Sequence, residues 1–129
     1  MEDPQGRADV DHFILDNIDS VPHLEALLLL WRQPSVQWTL EEIEKRLWIK
    51  SEDTRRILQD LVRGHLISIV AGEAERYTYR PGPDTDLLLG AVDDAYREEM
   101  IRISNMIHAK PSSAVRAFAQ AFRFTKEQE

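Results

Sequence analysis

Three side chains in the stretch SEDTRRILQ (residues 51–59) carry chemistry suited to reading a base edge: Arg55, Arg56 and Gln59. An arginine donates in bidentate fashion to O6 and N7 of guanine, and a glutamine pairs with the N6 and N7 edge of adenine. On a helix the three lie on the side away from Thr54, Leu58, Leu61 and Val62, which form an apolar face. Lys50, Arg63 and Arg76 are neighbouring cations of the kind that hold phosphates. Glu52 and Asp53 open the same helix; they suit its positive end but oppose a phosphate there. The same spacing also describes an ordinary solvated face, with Glu52 paired to Arg56 and Gln59 to Arg63. Both readings stay open on residue types alone.

Other chemistries lack their constellations. His12, His23, His65 and His108 show neither HxxxH nor HExxH spacing for a metal. None of the serines sits in a GxSxG elbow, and there is no glycine-rich phosphate loop. Asp93 and Asp94 fall on a predicted helix surface, where solvation accounts for them. His65, directly after a glycine, reads as a packing or capping residue. The expectation is a protein that is not an enzyme and needs no cofactor or metal.

At 129 residues the chain has the size of one ordinary domain, or a small one with an appended element, and its 43% hydrophobic content can supply a core. Without cysteine it has no disulfide framework and no thiolate chemistry. The longest apolar run, Ala26 to Trp31, is too short to cross a bilayer, and the start lacks the pattern of a signal peptide, so a cytoplasmic location is expected. The net charge of −7 is unevenly spread. Residues 34–83 hold eight acids and eight bases, whereas residues 1–33 hold seven acids against Arg7 and Arg32. The acidity lies mainly outside the segment with base-reading side chains.

The elements that must position those side chains can be read from periodicity. Residues 1–19 make an N-terminal arm, with MEDPQGRA outside regular structure and a short amphipathic helix from Asp9 carrying Val10, Phe13, Ile14 and Ile18. Residues 20–83 make the central unit. Asp19 or Ser20 starts a helix with Pro22 in its first turn, and its run ALLLLW is apolar nearly all round, so it should lie centrally. Thr39 with Glu42 is a capping box ahead of the stripe Leu40, Ile43 and Leu47. Ser51 is expected to cap the next helix and Gly64 to end it in the left-handed region. Two alternating runs around Gly72 to Glu75 predict a β-hairpin with an acidic tip, Glu73 and Glu75 against Arg76.

Residues 84–129 read as one long helix from Asp84 to about His108, a break at Lys110-Pro111-Ser112, and a short final helix. That last piece, with Val115, Phe118, Ala119, Phe122 and Phe124, is too short to stand alone and should dock into a groove. Leu89, Val92, Tyr96, Met100, Ile103 and Ile107 follow three- and four-residue steps close to a coiled-coil seam. Such a stripe packs either on its own domain or on a second chain. A helix of some 24 residues spans ~36 Å and outruns a small domain, which favours pairing into a homodimer.

The stretch SEDTRRILQDLVRGHLI, with Leu61, Gly64, Leu66 and Ile67 in a Leu-x-x-Gly-x-Leu-Ile frame, resembles the recognition helix and wing entry of winged-helix regulators of the MarR and PadR families. The resemblance covers roughly residues 20–81. It implies a mostly α fold with a small β-hairpin wing and a long C-terminal helix. It also implies a homodimeric regulator of transcription that binds double-stranded DNA, and a ligand crevice between protomers. Winged helices also serve as protein-binding modules, and the acidic surface suits that alternative.

Overall fold

A computed structural model describes residues 4–80 and 82–110. Its elements run α1 (Pro4–Asn17), α2 (Val21–Arg32), β1 (Trp38–Thr39), α3 (Leu40–Leu47), α4 (Ser51–Arg63), β2 (Ile67–Val70), β3 (Arg76–Tyr79), α5 (Pro83–Glu98) and α6 (Met100–His108). The aromatic segment with Val115, Phe118, Ala119, Phe122 and Phe124 lies outside the described residues.

Helix α2 is the centre. Ser20 caps it by accepting from the His23 N–H, and Pro22 sits in the first turn, where no N–H is missed. Leu24, Ala26, Leu27, Leu28 and Leu30 are sealed from solvent, so neighbours must cover the helix on several sides. Helices α3, α4 and α5 and strand β3 do so. Around it one hydrophobic cluster runs from Val10 in α1 to Ile107 in α6.

Helix α3 starts with the expected capping box: the Thr39 N–H donates to Glu42 Oε1 at 2.8 Å, and the Glu42 N–H donates to Thr39 Oγ1 at 3.2 Å. It closes at Trp48 in the left-handed region (φ 59°). Helix α4 packs Thr54, Ile57, Leu58 and Leu61 inward. Thr54 is satisfied there because its hydroxyl donates to the Lys50 carbonyl at 2.9 Å. The wing is antiparallel, in the order β1-β3-β2, with Ile67 opposite Tyr79 and Ile69 opposite Tyr77. The two-residue strand β1 pairs Trp38 with Tyr77 and has no periodicity of its own to reveal it.

Four expectations about helix ends and breaks are corrected. Helix α1 begins at Pro4 rather than Asp9. The cap of α4 is Lys50, without a side-chain bond, and Ser51 is already the first helical residue. At the other end of α4, Gly64 is not left-handed (φ −79°); His65 is (φ 61°). The Leu66 N–H then reaches the Leu61 carbonyl and the His65 N–H that of Val62, a Schellman closure with a histidine in the usual glycine place.

The fourth correction is the largest. The long helix breaks at Glu99 (φ −129°, ψ 46°) into α5 and α6. Neither Pro nor Gly lies at the break, so its cause is tertiary. Glu99 is held by Arg7 of α1 at 2.8 Å and by Arg102 at 3.1 Å, and Arg102 in turn reaches Asp11. Bending lets α6 lay Ile103 and Ile107 on the chain's own core. Leu89, Val92, Tyr96, Ile103 and Ile107 are therefore all buried within one chain, and of the proposed seam only Met100 is exposed. The three- and four-residue spacing marked a buried face, but its cover is intramolecular. Asp93 likewise is not solvated: it is 5% exposed and paired with Arg32 and Arg97, while Asp94 stays on the surface.

The closure of α4 can be tested directly. A Cβ on Gly64 meets nothing closer than 3.6 Å, so Gly64→Ala should stabilise the chain by about 0.4–1 kcal/mol. His65→Gly should add about 1 kcal/mol by relieving the left-handed residue. Thermal melts should rise for both; a fall for Gly64→Ala would mean that Gly64, not His65, is left-handed in solution.

Candidate nucleic-acid interface

Because α4 buries Thr54, Ile57, Leu58 and Leu61 against the core, it turns Arg55, Arg56, Gln59 and Arg63 outward. The wing lies alongside. The expected donors therefore share one face, and the structure adds the acids placed among them. Arg55 Nη1 stands 3.5 Å from Glu75 Oε2 at the wing, and Arg56 Nη2 stands 2.9 Å from Asp53 Oδ1. Arg63 pairs with Asp60. The pairing partners differ from the four-residue ones of an ideal surface helix: Asp53 and Asp60 sit three residues before their arginines. Arg76 folds back from the wing tip to donate to the Gln37 carbonyl at 3.3 Å. Among the described residues, Lys50 and Gln59 have no side-chain partner.

The energetics of these pairs decide what the face can do. The Arg55, Arg56 and Arg63 side chains are all more than half exposed, so each pair contributes about 0–1 kcal/mol and exchanges easily for another acceptor. The arginines remain free to turn to phosphates or base edges. The acids stay behind: Lys50, Arg55, Arg56, Arg63 and Arg76 stand against Glu52, Asp53, Asp60, Glu73 and Glu75. The face has donors without net positive charge.

Two acids are fixed from beneath, and neither anchor was legible in sequence. The Tyr77 hydroxyl donates to Glu75 Oε2 at 2.9 Å from a ring that is itself buried. Burial and the Glu75 carboxylate push the Tyr77 phenol up to about 12. Asp60 is bonded by His23 Nε2 at 2.8 Å, and the Ser20 hydroxyl faces His23 Nδ1 at 2.6 Å. This chain of contacts ties the start of α2 to α4. Asp19 joins His23 and Asp60 with ligand atoms within 4.8 Å of one another, a grouping capable of holding a metal ion. Lys110 and Arg63 already stand beside its carboxylates, and the imidazole has both nitrogens engaged, so the hydrogen bonding is complete without one. Sequence reading also passed over Trp48, which is 90% exposed in the turn between α3 and α4. Its lone position in a helix-ending turn offers no periodic signal.

Three helices, a three-stranded antiparallel wing, and flanking helices before and after define a winged-helix fold. Solved structures agree. The chain is similar to MepR of Staphylococcus aureus, solved in a complex with DNA, at 12% identity and a TM-score of 0.56, over 97% of this chain and 93% of that one. It is similar to a MarR family protein from Bacillus stearothermophilus at 13% identity and a TM-score of 0.52, over 96% and 84%. YusO of Bacillus subtilis matches at 12% identity and a TM-score of 0.54, over 96% and 85%. No protein-family model matches the chain, and no curated protein is similar to it in sequence. No helix of the described residues is long and apolar enough to cross a membrane.

The buried anchors carry a pH prediction. Burial, first, and then a carboxylate neighbour raise the phenols of Tyr77, Tyr79 and Tyr96, the latter two beside Asp86 and Glu25. A raised phenol pKa favours the neutral form in the fold. The stability it contributes is whole below the ordinary value of 10 and falls as pH climbs toward about 12. Phenolate absorbance should therefore appear above pH 10 and together with loss of helical signal. Titration of these tyrosines near 10 in a chain that stays folded would refute the anchoring.

Proposed function

We propose that the chain is a DNA-binding regulator of transcription that works as a homodimer. One observation carries this reading: the fold turns Arg55, Arg56 and Gln59, three mutually adjacent base-reading donors, outward from a helix whose inner face is locked to the core. Similarity in fold to MepR, solved with DNA, supports it. Arg55, Arg56 and Gln59 would meet base edges, and Lys50, Arg63 and Arg76 the phosphates. The acids interleaved with them weaken non-specific attraction to the backbone, so binding would depend on correct base contacts more than on charge. A two-fold dimer would present two α4 helices to half-sites one helical turn apart. Since the stripe Leu89, Val92, Tyr96, Ile103 and Ile107 is consumed by the chain's own core, the second copy is expected on Met100 and Ile101, which are 52% and 78% exposed.

A second reading has its own observation. Trp48, 90% exposed beside an electrically neutral face, is the kind of aromatic anchor that protein interfaces use. On that reading the winged helix binds another protein rather than a duplex.

Selection from genomic fragments at low salt separates the two. A DNA reader should enrich one sequence. Arg56→Ala should then cost about 1–3 kcal/mol on that site and relax its preference. Glu75→Gln should strengthen binding to all duplexes several-fold, because it removes a fixed negative charge beside Arg55. Failure to enrich any sequence, with affinity no better than ~10⁻⁴–10⁻⁶ M, decides for the protein-binding reading.

Assembly is checked separately. Replacing Met100 and Ile101 with Glu should leave the melting temperature nearly unchanged, since both are exposed, and should convert dimers to monomers in light scattering. A wild-type chain that is monomeric at micromolar concentration would remove the dimer from the proposal.

A further inference from the structure

Among the described residues, Trp48 is the most exposed large apolar side chain, at 90%. Nothing in the fold requires it there. It closes α3 in the left-handed region (φ 59°, ψ 41°), a place that favours glycine or asparagine and that a bulky residue occupies at a cost in strain. With so little of its surface covered, the indole gives no packing in return. The turn cannot fold it back, because both sides are fastened. The Trp48 N–H donates to the Glu44 carbonyl at 2.8 Å, and the Lys50 carbonyl accepts from both the N–H and the hydroxyl of Thr54 at 2.9 Å. Leu47 and Ile49, on either side, pack against the core. A strained backbone that holds a large aromatic out in water is the mark of a contact made outside the chain.

The position of Trp48 sets the chemistry of that contact. It stands in the turn between α3 and α4, the two helices of the helix-turn-helix. When such a pair docks, the second helix enters the major groove by its N-terminal residues while the first crosses the backbone, so the turn between them comes to the groove wall. Arg55 and Arg56 lie only about 8 Å along α4 from its Lys50 cap, so seating them at base edges brings the turn against the same wall. Lys50, exposed and with no side-chain partner among the described residues, stands two residues from the indole as a phosphate contact. A protein hot spot would look different: an aromatic anchor set within a surrounding patch of contacts. Among the described residues no other large apolar side chain of α3, α4 or their turn is exposed.

We infer that Trp48 lays its indole on the deoxyribose faces of one DNA strand, at the edge of the groove read by α4. This rests on the DNA-binding reading and adds to it a source of affinity that is not charge. The face of α4 and the wing carries as many acids as bases, so counterion release gives it little. Covering an indole, one of the largest apolar surfaces a side chain offers, is nearly indifferent to salt. The contact is to sugar and not to base edges. It therefore strengthens binding to any duplex alike and leaves sequence choice to Arg55, Arg56 and Gln59.

Variants of the full-length chain test this against a short mixed-sequence DNA duplex at low salt. Trp48→Gly and Trp48→Asn both suit a left-handed residue, so both should melt at a higher temperature than the parent chain. Yet both should bind the duplex about tenfold more weakly at every salt concentration, with the salt slope unchanged. Lys50→Ala should instead flatten the slope. Trp48→Phe, which keeps an aromatic face, should lose less than the other two. Emission of the wild-type chain gives a direct readout. Trp38 is buried and Trp31 half-buried, so the red-shifted emission comes from Trp48 and should be quenched as duplex is added. Duplex binding that Trp48→Gly and Trp48→Asn leave intact overturns the contact and spares the DNA-binding reading. A melting temperature that falls in both shows that the indole serves the fold, and overturns the contact as well. A wild-type chain that binds no duplex overturns both, and leaves Trp48 to a protein partner.

Discussion

The architecture depends on the burial of α2. A helix with apolar residues nearly all the way round has no face to give to water, so it is stable only when other elements cover it. That requirement recruits α3 and α4 on one side, β3 of the wing and α5 on others. Each recruited element is amphipathic and must turn its apolar stripe to α2. The rotation of α4 follows, and with it the outward direction of Arg55, Arg56 and Gln59. The geometry of the candidate interface is thus a consequence of packing on the opposite side of the same helix.

A second constraint is electrostatic. The arginines of α4 are neutralised by neighbours, yet the pairs are exposed and weak, while two of the acids are held by buried partners. Mobile cations and anchored anions make a face that offers donors without a broad positive field. Attraction to any polyanion is low on such a face, and complementarity at individual contacts has to supply the selectivity. Anchoring also couples the interface to the rest of the chain. Asp60 is linked through His23 to the cap of α2, and Glu75 through Tyr77 to the core of the wing.

The bend at Glu99 gives the C-terminal helices their place. A straight helix would carry its apolar stripe away from the domain. Arg7, Arg102 and Asp11 gather at the bend and bring α6 back across α1, where Ile103 and Ile107 complete the core. The same arrangement leaves a groove between α1 and α5 that is lined by Asp9, Asp16, Asp84, Asp94 and Glu98.

Local signals were legible wherever the chain within a few residues supplies the physics. The Ser20 and Thr39 caps, the central place of α2, the inward face of α4 and the hairpin order of the wing all follow from short-range hydrogen bonding and period. Helix order and the Leu61, Gly64, Leu66 frame were enough to indicate the winged helix. Tertiary structure alone decided the rest. Residue periodicity shows that a stripe is buried but not what buries it, so Tyr96 and Ile103 read equally as a seam between chains or as core. The left-handed residue moved from Gly64 to His65 because Leu66 had to reach the Leu61 carbonyl and pack beside it. Asp93, Asp60 and Glu75 found partners in other elements, Arg32, His23 and Arg55, at separations of 61, 37 and 20 residues. Sequence determines which faces must be covered and which ends must be capped, because those demands are local; only the folded chain assigns the cover and the charge partners, because both are chosen among groups that folding alone brings within reach.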